Sequence, residues 1–270
     1  MKLVMFDMDG TLTDARKQIS LSMMTALGNL QKSGYKIAIV TGSDLNYIEQ
    51  QCDPIFDIGS PVDPTAILYY PCNGTKKYNF SNGRFSCEYT HSLCHHVGRG
   101  RYSDMIKAIF DCQSYLLRLE GTDGILLTST FIVSRGSMIN WSPIGRNADS
   151  NDRERFVAVD KKYNIRMSIL EYIDKNYKDL FKGVTVKLGG DTSFDIFPTG
   201  WDKTYALNDQ LNSDIKYEEI IFMGDRCEDN GNDKEIYDAC KKLENGKSYK
   251  VRNYFETTYI IEQIIGGKDE

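Results

Sequence analysis

Short apolar blocks and helix-spaced apolar positions alternate along the first part of the chain. Residues 3–6 are an unbroken apolar run that stops at Asp7. A polar turn follows, and over residues 19–30 apolar side chains recur at helical spacing. Gly34 ends that helix, and residues 36–40 form a second apolar run closing on Thr41-Gly42-Ser43-Asp44. Asp44 is placed to cap a helix over 45–51. Buried strand, turn, amphipathic helix and buried strand make the βαβ rhythm of a parallel sheet.

The rhythm changes after Asn73-Gly74. Residues 78–85 predict a hairpin turning at Asn82-Gly83. A helix is predicted over 103–119, antiparallel strands over 124–134 and 137–142, a mostly helical stretch over 153–176 and a strand over 184–188. The βα rhythm then resumes with a strand at 193–197, a helix at 203–211 and a buried strand at 219–223 that stops at Gly224-Asp225. These patterns predict a doubly wound α/β core from residues 1–85 and 189–270, with an inserted α+β cap at 86–188.

Composition narrows the function. The net charge of −5 argues against a nucleic-acid binder. No stretch approaches the roughly 20 apolar residues of a membrane span, and the N-terminal run is too short for a signal peptide. Seven cysteines, an odd number scattered without a framework, suit a reducing, cytoplasmic setting. The expected protein is soluble and acts on a small molecule.

The candidate chemistry lies where the apolar runs stop. In open α/β sheets, ligands bind beyond the carboxyl ends of the strands. Asp7-x-Asp9, Thr41-x-Ser43 and Asp225 each end such a run. Two carboxylates with a third facing them make a hard oxygen site suited to Mg2+. A carboxylate can attack phosphorus to form an aspartyl-phosphate. A lysine helps neutralise the phosphate charge, and Asp9 can protonate the leaving oxygen and later deprotonate the acceptor. Thr41 and Ser43 are equally ordinary turn residues, and either hydroxyl serves as a phosphate contact at this point.

Asp7-Met8-Asp9-Gly10-Thr11, Thr41 or Ser43, Lys203 and Gly224-Asp225 resemble the four motifs of the haloacid-dehalogenase superfamily. The likeness extends to the eukaryotic-type phosphomannomutases with a C2-type cap. It is carried by Asp7 through Arg16, by the segment from Arg135 to Arg146 and by the segment from Gly189 to Lys203. The resemblance implies that Asp7 is the nucleophile and Asp9 the general acid/base. Asp7, the Asp9 main-chain carbonyl and Asp225 would hold Mg2+, and Ser43 and Lys203 would hold the transferring phosphate. Arg16, Arg135, Arg146, Arg153, Ser193 and Asp195 would grip the sugar phosphate. It also implies interconversion of mannose 6-phosphate and mannose 1-phosphate, with glucose phosphates as further candidates. A hexose 1,6-bisphosphate activator, a place in GDP-mannose synthesis and a homodimer through the cap come with it. A Mg2+-dependent sugar-phosphate phosphatase is the alternative with the same chemistry. A binding protein on an inactive scaffold is disfavoured by the intact Asp7, Asp9, Lys203 and Asp225.

Two stretches depart from the family pattern. The loop from Asp225 to Asp233 is more acidic, and Tyr237-Asp238-Ala239-Cys240-Lys241 does not match the family's second cation site. All three histidines, His91, His95 and His96, lie beside Cys87 and Cys94. Their spacing fits no standard zinc pattern, and the segment is expected to be a cap loop.

Overall fold

The computed structural model describes residues 1–229 and 231–267. Asn230, in the loop after Asp225, and residues 268–270 of the expected core lie outside the described residues. The chain opens with β1 (Lys2–Phe6), α1 (Leu21–Lys32), β2 (Tyr35–Val40), α2 (Leu45–Cys52), β3 (Ile67–Tyr70), β4 (Lys76–Ser81) and β5 (Arg84–Thr90). It continues through α3 (Leu93–Val97), α4 (Arg99–Leu116), β6 (Ile132–Ser134), β7 (Ile139–Trp141), α5 (Ser150–Tyr163), α6 (Ile165–Tyr177), β8 (Val184–Gly189) and β9 (Ser193–Pro198). It closes with α7 (Thr204–Leu211), β10 (Glu219–Gly224), α8 (Lys234–Lys241), β11 (Gly246–Lys250) and α9 (Tyr254–Ile265).

One sheet runs β11-β10-β1-β2-β3-β4-β5. It is parallel from β11 to β3 and antiparallel in the β4–β5 hairpin. Alternation along β1 sends Val4 and Phe6 to one face, where they pack with Met23, Leu27, Ile48 and Ile261. Leu3 and Met5 go to the other face, with Ala206, Leu207 and Ile236. Helices therefore cover both faces, and every strand of the apolar centre reads as a continuous hydrophobic run. Full burial of each such side chain contributes about 1.5–3 kcal/mol, which anchors β1 firmly behind the charged residue at its end. Asp44 caps α2 through the Tyr47 N–H (3.3 Å), as the sequence predicts. Asn82 and Gly83 take positive φ values of 51° and 73°, the pairing that a tight Asn-Gly hairpin turn requires.

Contacts divide the chain into two compact units, one made of Met1–Thr90 with the chain from Gly200, the other of His91–Thr199. The second holds a four-stranded sheet in the order β6-β7-β9-β8, backed by a core that includes Ile109, Trp141, Phe156, Ile169 and Phe194. The strand beginning at Ser193 thus belongs to this sheet and not to the α/β core, where the rhythm of apolar runs had put it. A short turn after Gly189 folds β9 back onto β8, in register from Val184 opposite Pro198 to Gly189 opposite Ser193. Apolar content alone does not distinguish such a hairpin partner from a parallel core strand. Two further corrections concern loops. Residues 124–131 form no strand, and Leu126 there is largely exposed. The Cys87–His96 segment is no single loop, since Cys87 lies on β5 and Cys94, His95 and His96 on α3. Among the described residues no helix is long and apolar enough to cross a membrane.

Candidate active site

Parallel pairing brings the strand ends of the core unit together. Phe6 lies opposite Met223 on β10 and Ile39 on β2, so Asp7, Asp225 and Thr41 all emerge at one edge. β1 sits between strands contributed by opposite ends of the chain, which makes this edge a switch point of the sheet. The Asp7 N–H donates to the Met223 carbonyl at 2.9 Å and extends the β1 register by one residue. The Met8 carbonyl then accepts from Leu12 and Thr13 N–H groups at 2.9 and 3.0 Å, tightening the loop. Gly10 has φ 81°, and a Cβ there would lie 2.4 Å from Asp225 Oδ2. Only glycine lets the loop pass so close to that carboxylate.

Lys203 enters from the start of α7 and is 1% exposed. Its Nζ donates to Asp7 Oδ1 and, at 2.6 Å, to Asp233 Oδ1. Asp233 is fully buried. Its other oxygen accepts the Arg226 N–H at 3.1 Å, and its own N–H donates to the Arg226 carbonyl at 3.1 Å. That exchange closes the loop after β10 and returns Asp233 beside Asp225. One carboxylate oxygen each from Asp7, Asp225 and Asp233 lies within 4.8 Å of the others. The Thr11 hydroxyl reaches Asp7 Oδ2 at 3.4 Å.

The electrostatics of this group explain what it can hold. Burial pushes the Asp7 carboxyl well above its ordinary range, and Asp233 and Asp225 add to the rise against the opposing Lys203. Asp225 is pushed up to about 6 by burial and then by Asp233, against Arg226 and Lys203. Burial works against the charge on Lys203, but Asp233 and Asp7 outweigh it and hold the ammonium above the usual lysine range. Three carboxylates facing one ammonium leave an excess of negative charge built from hard oxygen donors. This donor set fits Mg2+.

The same shifts predict a pH effect on metal-free protein. The folded state holds the Asp225 proton up to about pH 6, while the unfolded chain releases it near the ordinary 3.8. Between those values the folded state binds more protons, so stability falls as pH rises. In chelator, melting followed from pH 4 to 7 should show a loss to which Asp225 contributes on the order of 2 kcal/mol, so the slope should be shallower in Asp225→Asn, where Asp7 still titrates in the same sense. Equal slopes in the two proteins would discount the charge crowding. Saturating Mg2+ should remove the loss in the parent protein.

The Asp9 carboxylate is not part of this trio. Its Oδ1 accepts from Gln51 Nε2 at 3.0 Å and from the Arg16 N–H at 3.3 Å. Arg16 is exposed, with φ 64°. At the end of β2, Thr41 is buried and its hydroxyl accepts the Ser43 N–H at 3.1 Å. The Ser43 carbonyl accepts from Cys72 N–H at 2.7 Å, which fixes this turn.

The second unit assembles a polar group of its own. Asn140, on β7 and 3% exposed, donates through Nδ2 to Asp195 Oδ1 (2.7 Å) and Ser193 Oγ (3.2 Å), both on β9. Its Oδ1 accepts from Arg146 Nη1 at 2.6 Å. Arg135 Nη1 lies 4.0 Å from Asp195 Oδ1. Gly189 faces the same carboxylate so closely that a Cβ would come within 2.7 Å of it. Arg153 Nη1 donates to the buried Thr192 hydroxyl at 3.1 Å. The structure thus brings Arg135, Arg146, Ser193 and Asp195 together around Asn140, with Arg153 against the turn that precedes Ser193. Asn140→Ala is expected to cost about 1–3 kcal/mol of stability. If this group binds substrate, KM should also rise on the order of tenfold, with kcat little changed. Thermal melts and initial-rate kinetics read the two effects separately.

Four residues of these groups were not singled out in the sequence. Asp233 carried a signal in Gly231-Asn232-Asp233, just ahead of a helix. Asn140 sits inside the long segment from Arg135 to Arg146. Gln51 and Thr11 carry no signal beyond their neighbours.

A family model described as eukaryotic phosphomannomutase matches residues 23–266. The phosphomannomutase of Schizosaccharomyces pombe is 36% identical over 235 residues, covering 87% of this chain and 84% of that protein. Phosphomannomutase 1 of Mus musculus is 37% identical over 237 residues, covering 87% and 82%. Among solved structures, the fold is similar to an IMP-bound IMP-nucleotidase of Plasmodium falciparum, with TM-score 0.64, 16% identity and coverage of 98% of this chain and 67% of that one. It is also similar to the trehalose-6-phosphate phosphatase of Aspergillus fumigatus, with TM-score 0.54, 16% identity and coverage of 98% and 93%. At that identity the structural likenesses concern the fold.

Proposed function

The chain belongs to the eukaryotic phosphomannomutase family, and from that premise we propose that Asp7 carries the phosphoryl group as it moves between the two ends of a hexose. The protein is a phosphomutase of haloacid-dehalogenase fold that interconverts mannose 6-phosphate and mannose 1-phosphate. Glucose phosphates are further candidate substrates. The observation that carries the role of Asp7 is its pairing with the buried Lys203, beside Asp225 and Asp233. An Asp7 oxygen attacks phosphorus, and the Lys203 ammonium reduces the repulsion between two anions. Asp9 gives a proton to the leaving sugar oxygen and takes one from the hydroxyl that later attacks.

Asp7, Asp225 and Asp233 would hold Mg2+, with the Asp9 carbonyl as a further donor. When bound, the ion would neutralise phosphate charge. Thr41 is buried whereas Ser43 is half-buried, which supports Ser43 as the phosphate contact. Arg16, Arg135, Arg146 and Arg153 suit the second phosphate because guanidinium forks match its oxygens. Ser193 and Asp195 suit sugar hydroxyls. A hexose 1,6-bisphosphate primes Asp7. The odd number of cysteines, seven and scattered, supports a reducing, cytoplasmic setting that suits supply of mannose 1-phosphate for GDP-mannose synthesis. A homodimer through the inserted unit completes the proposal, and the exposed Phe110 on α4 is an apolar side chain that such an interface would cover.

The test incubates the protein with Mg2+, mannose 1-phosphate and a trace of glucose 1,6-bisphosphate, following mannose 6-phosphate and inorganic phosphate together. Mannose 6-phosphate without phosphate release is the expected result. Phosphate release alone would overturn the mutase reading in favour of a phosphatase.

A further inference from the structure

Two donors converge on one oxygen of Asp9, and the better placed of them is itself held from behind. Gln51 lies on α2 and is 2% exposed. Its Nε2 donates to Asp9 Oδ1 at 3.0 Å, while its Oε1 accepts from the Thr13 hydroxyl. Its main-chain carbonyl accepts the Ile19 N–H at 2.8 Å, which ties the end of α2 to the chain entering α1. An ionised carboxylate only accepts, so the amide must present its NH2 to Asp9, and its oxygen is then left to Thr13. The Arg16 N–H, from a residue in the left-handed region at φ 64°, reaches the same Oδ1 at 3.3 Å. Neither donor is directed at Oδ2.

We propose that Gln51 is a positioning residue for proton transfer, locking Asp9 through Oδ1 so that Oδ2 is the oxygen that exchanges protons with the sugar. The inference rests on the proton-transfer role proposed for Asp9. In the forward step an Asp7 oxygen forms a bond to phosphorus and the bond from phosphorus to the sugar oxygen breaks. The electron pair stays on the sugar oxygen, and the proton on Asp9 Oδ2 moves to it. The return step reverses each of these. A carboxyl group free to rotate about its Cβ–Cγ bond would present either oxygen, and the fraction of time in the productive geometry would fall. Thr13 completes the device by donating to the Gln51 oxygen and so holding the amide against Asp9.

The signature of such a role is dependence on the leaving group. A sugar hydroxyl needs a proton as it departs, whereas the acetate of acetyl phosphate does not. The experiment measures phosphorylation of Asp7 in single turnovers, with glucose 1,6-bisphosphate and with acetyl phosphate as donors, for the parent protein, Asp9→Asn, Gln51→Met and Thr13→Val. Gln51→Met should lose about 10- to 100-fold with the bisphosphate and less than about threefold with acetyl phosphate. Thr13→Val should show a smaller loss with the same selectivity, and it stands in should Gln51→Met fail to fold. Equal losses with both donors, or none with either, would overturn the positioning role. If Asp9→Asn itself shows no selectivity, the proton-transfer reading of Asp9 falls. Selectivity in Asp9→Asn with none in the Gln51 and Thr13 variants removes this inference alone.

Discussion

Asp7→Asn is expected to abolish mannose phosphate interconversion, by at least about 10⁴-fold, while leaving the fold intact. The amide keeps the shape of the side chain and the contact with Thr11, but it offers no anionic oxygen to phosphorus. The expected stability change points the other way from the loss of activity. Asp7 is a buried carboxylate held above its ordinary range by burial and by two neighbouring acids, so removing its charge relieves repulsion in metal-free protein. Lys203 keeps Asp233 as an ionic partner at 2.6 Å. A melting temperature equal to or above that of the parent, together with absent turnover and no phosphorylated residue, is the predicted combination. Turnover that survives would place the nucleophile elsewhere.

Lys203→Met should be the most damaging single change to the core unit. The ammonium is almost fully enclosed and touches two carboxylates contributed by distant parts of the chain. Replacing it with an apolar chain of similar length leaves Asp7, Asp225 and Asp233 without their buried counter-charge. Breaking a buried pair from one side costs about 3–5 kcal/mol, and activity should fall below detection. Adding Asp233→Asn to Lys203→Met removes one of the stranded charges, so denaturant melts should recover part of the lost stability. Activity should stay absent, because the cation beside Asp7 is still missing. Additive losses in the double variant would show that the pair is not coupled as the geometry requires.

The legible part of this protein is what repeats with a period or ends a strand. The runs at β1, β2 and β10 are apolar without a break because both faces of the parallel sheet are covered, and each is followed at once by a polar cluster. Asp7, Thr41 and Asp225 could therefore be placed on one edge from pattern alone. Asp233 could not. It stands just ahead of α8, where an acid ordinarily reads as a helix cap, yet its side chain makes no capping bond and turns to Lys203 instead. Lys203 likewise begins a helix, a position where a lysine is usually solvated, and only packing shows that it is buried. β9 was misassigned for a related reason, since Phe194, Ile196 and Phe197 would be equally apolar in either sheet. Asn140 and Gln51 owe their roles to partners across a sheet or a loop, at |i−j| of 55 for Asp195 and 42 for Asp9. No local spacing carries that information.

The order of strands has a consequence for how this enzyme is made. β1 leaves the ribosome long before its neighbour β10, and the lysine that pairs with Asp7 comes from the far side of the insertion, with Lys203 lying 196 positions after Asp7. A nascent chain that has delivered Asp7 and Asp9 still lacks Lys203, Asp225 and Asp233, so the cluster around Asp7 is not yet assembled. The intervening His91–Thr199 unit has its own hydrophobic core and can condense while the core sheet waits for its missing strand. Closing the sheet across so long a separation is slow compared with local helix formation. The buried charge cluster is thus completed late in biosynthesis, once β10 has docked beside β1.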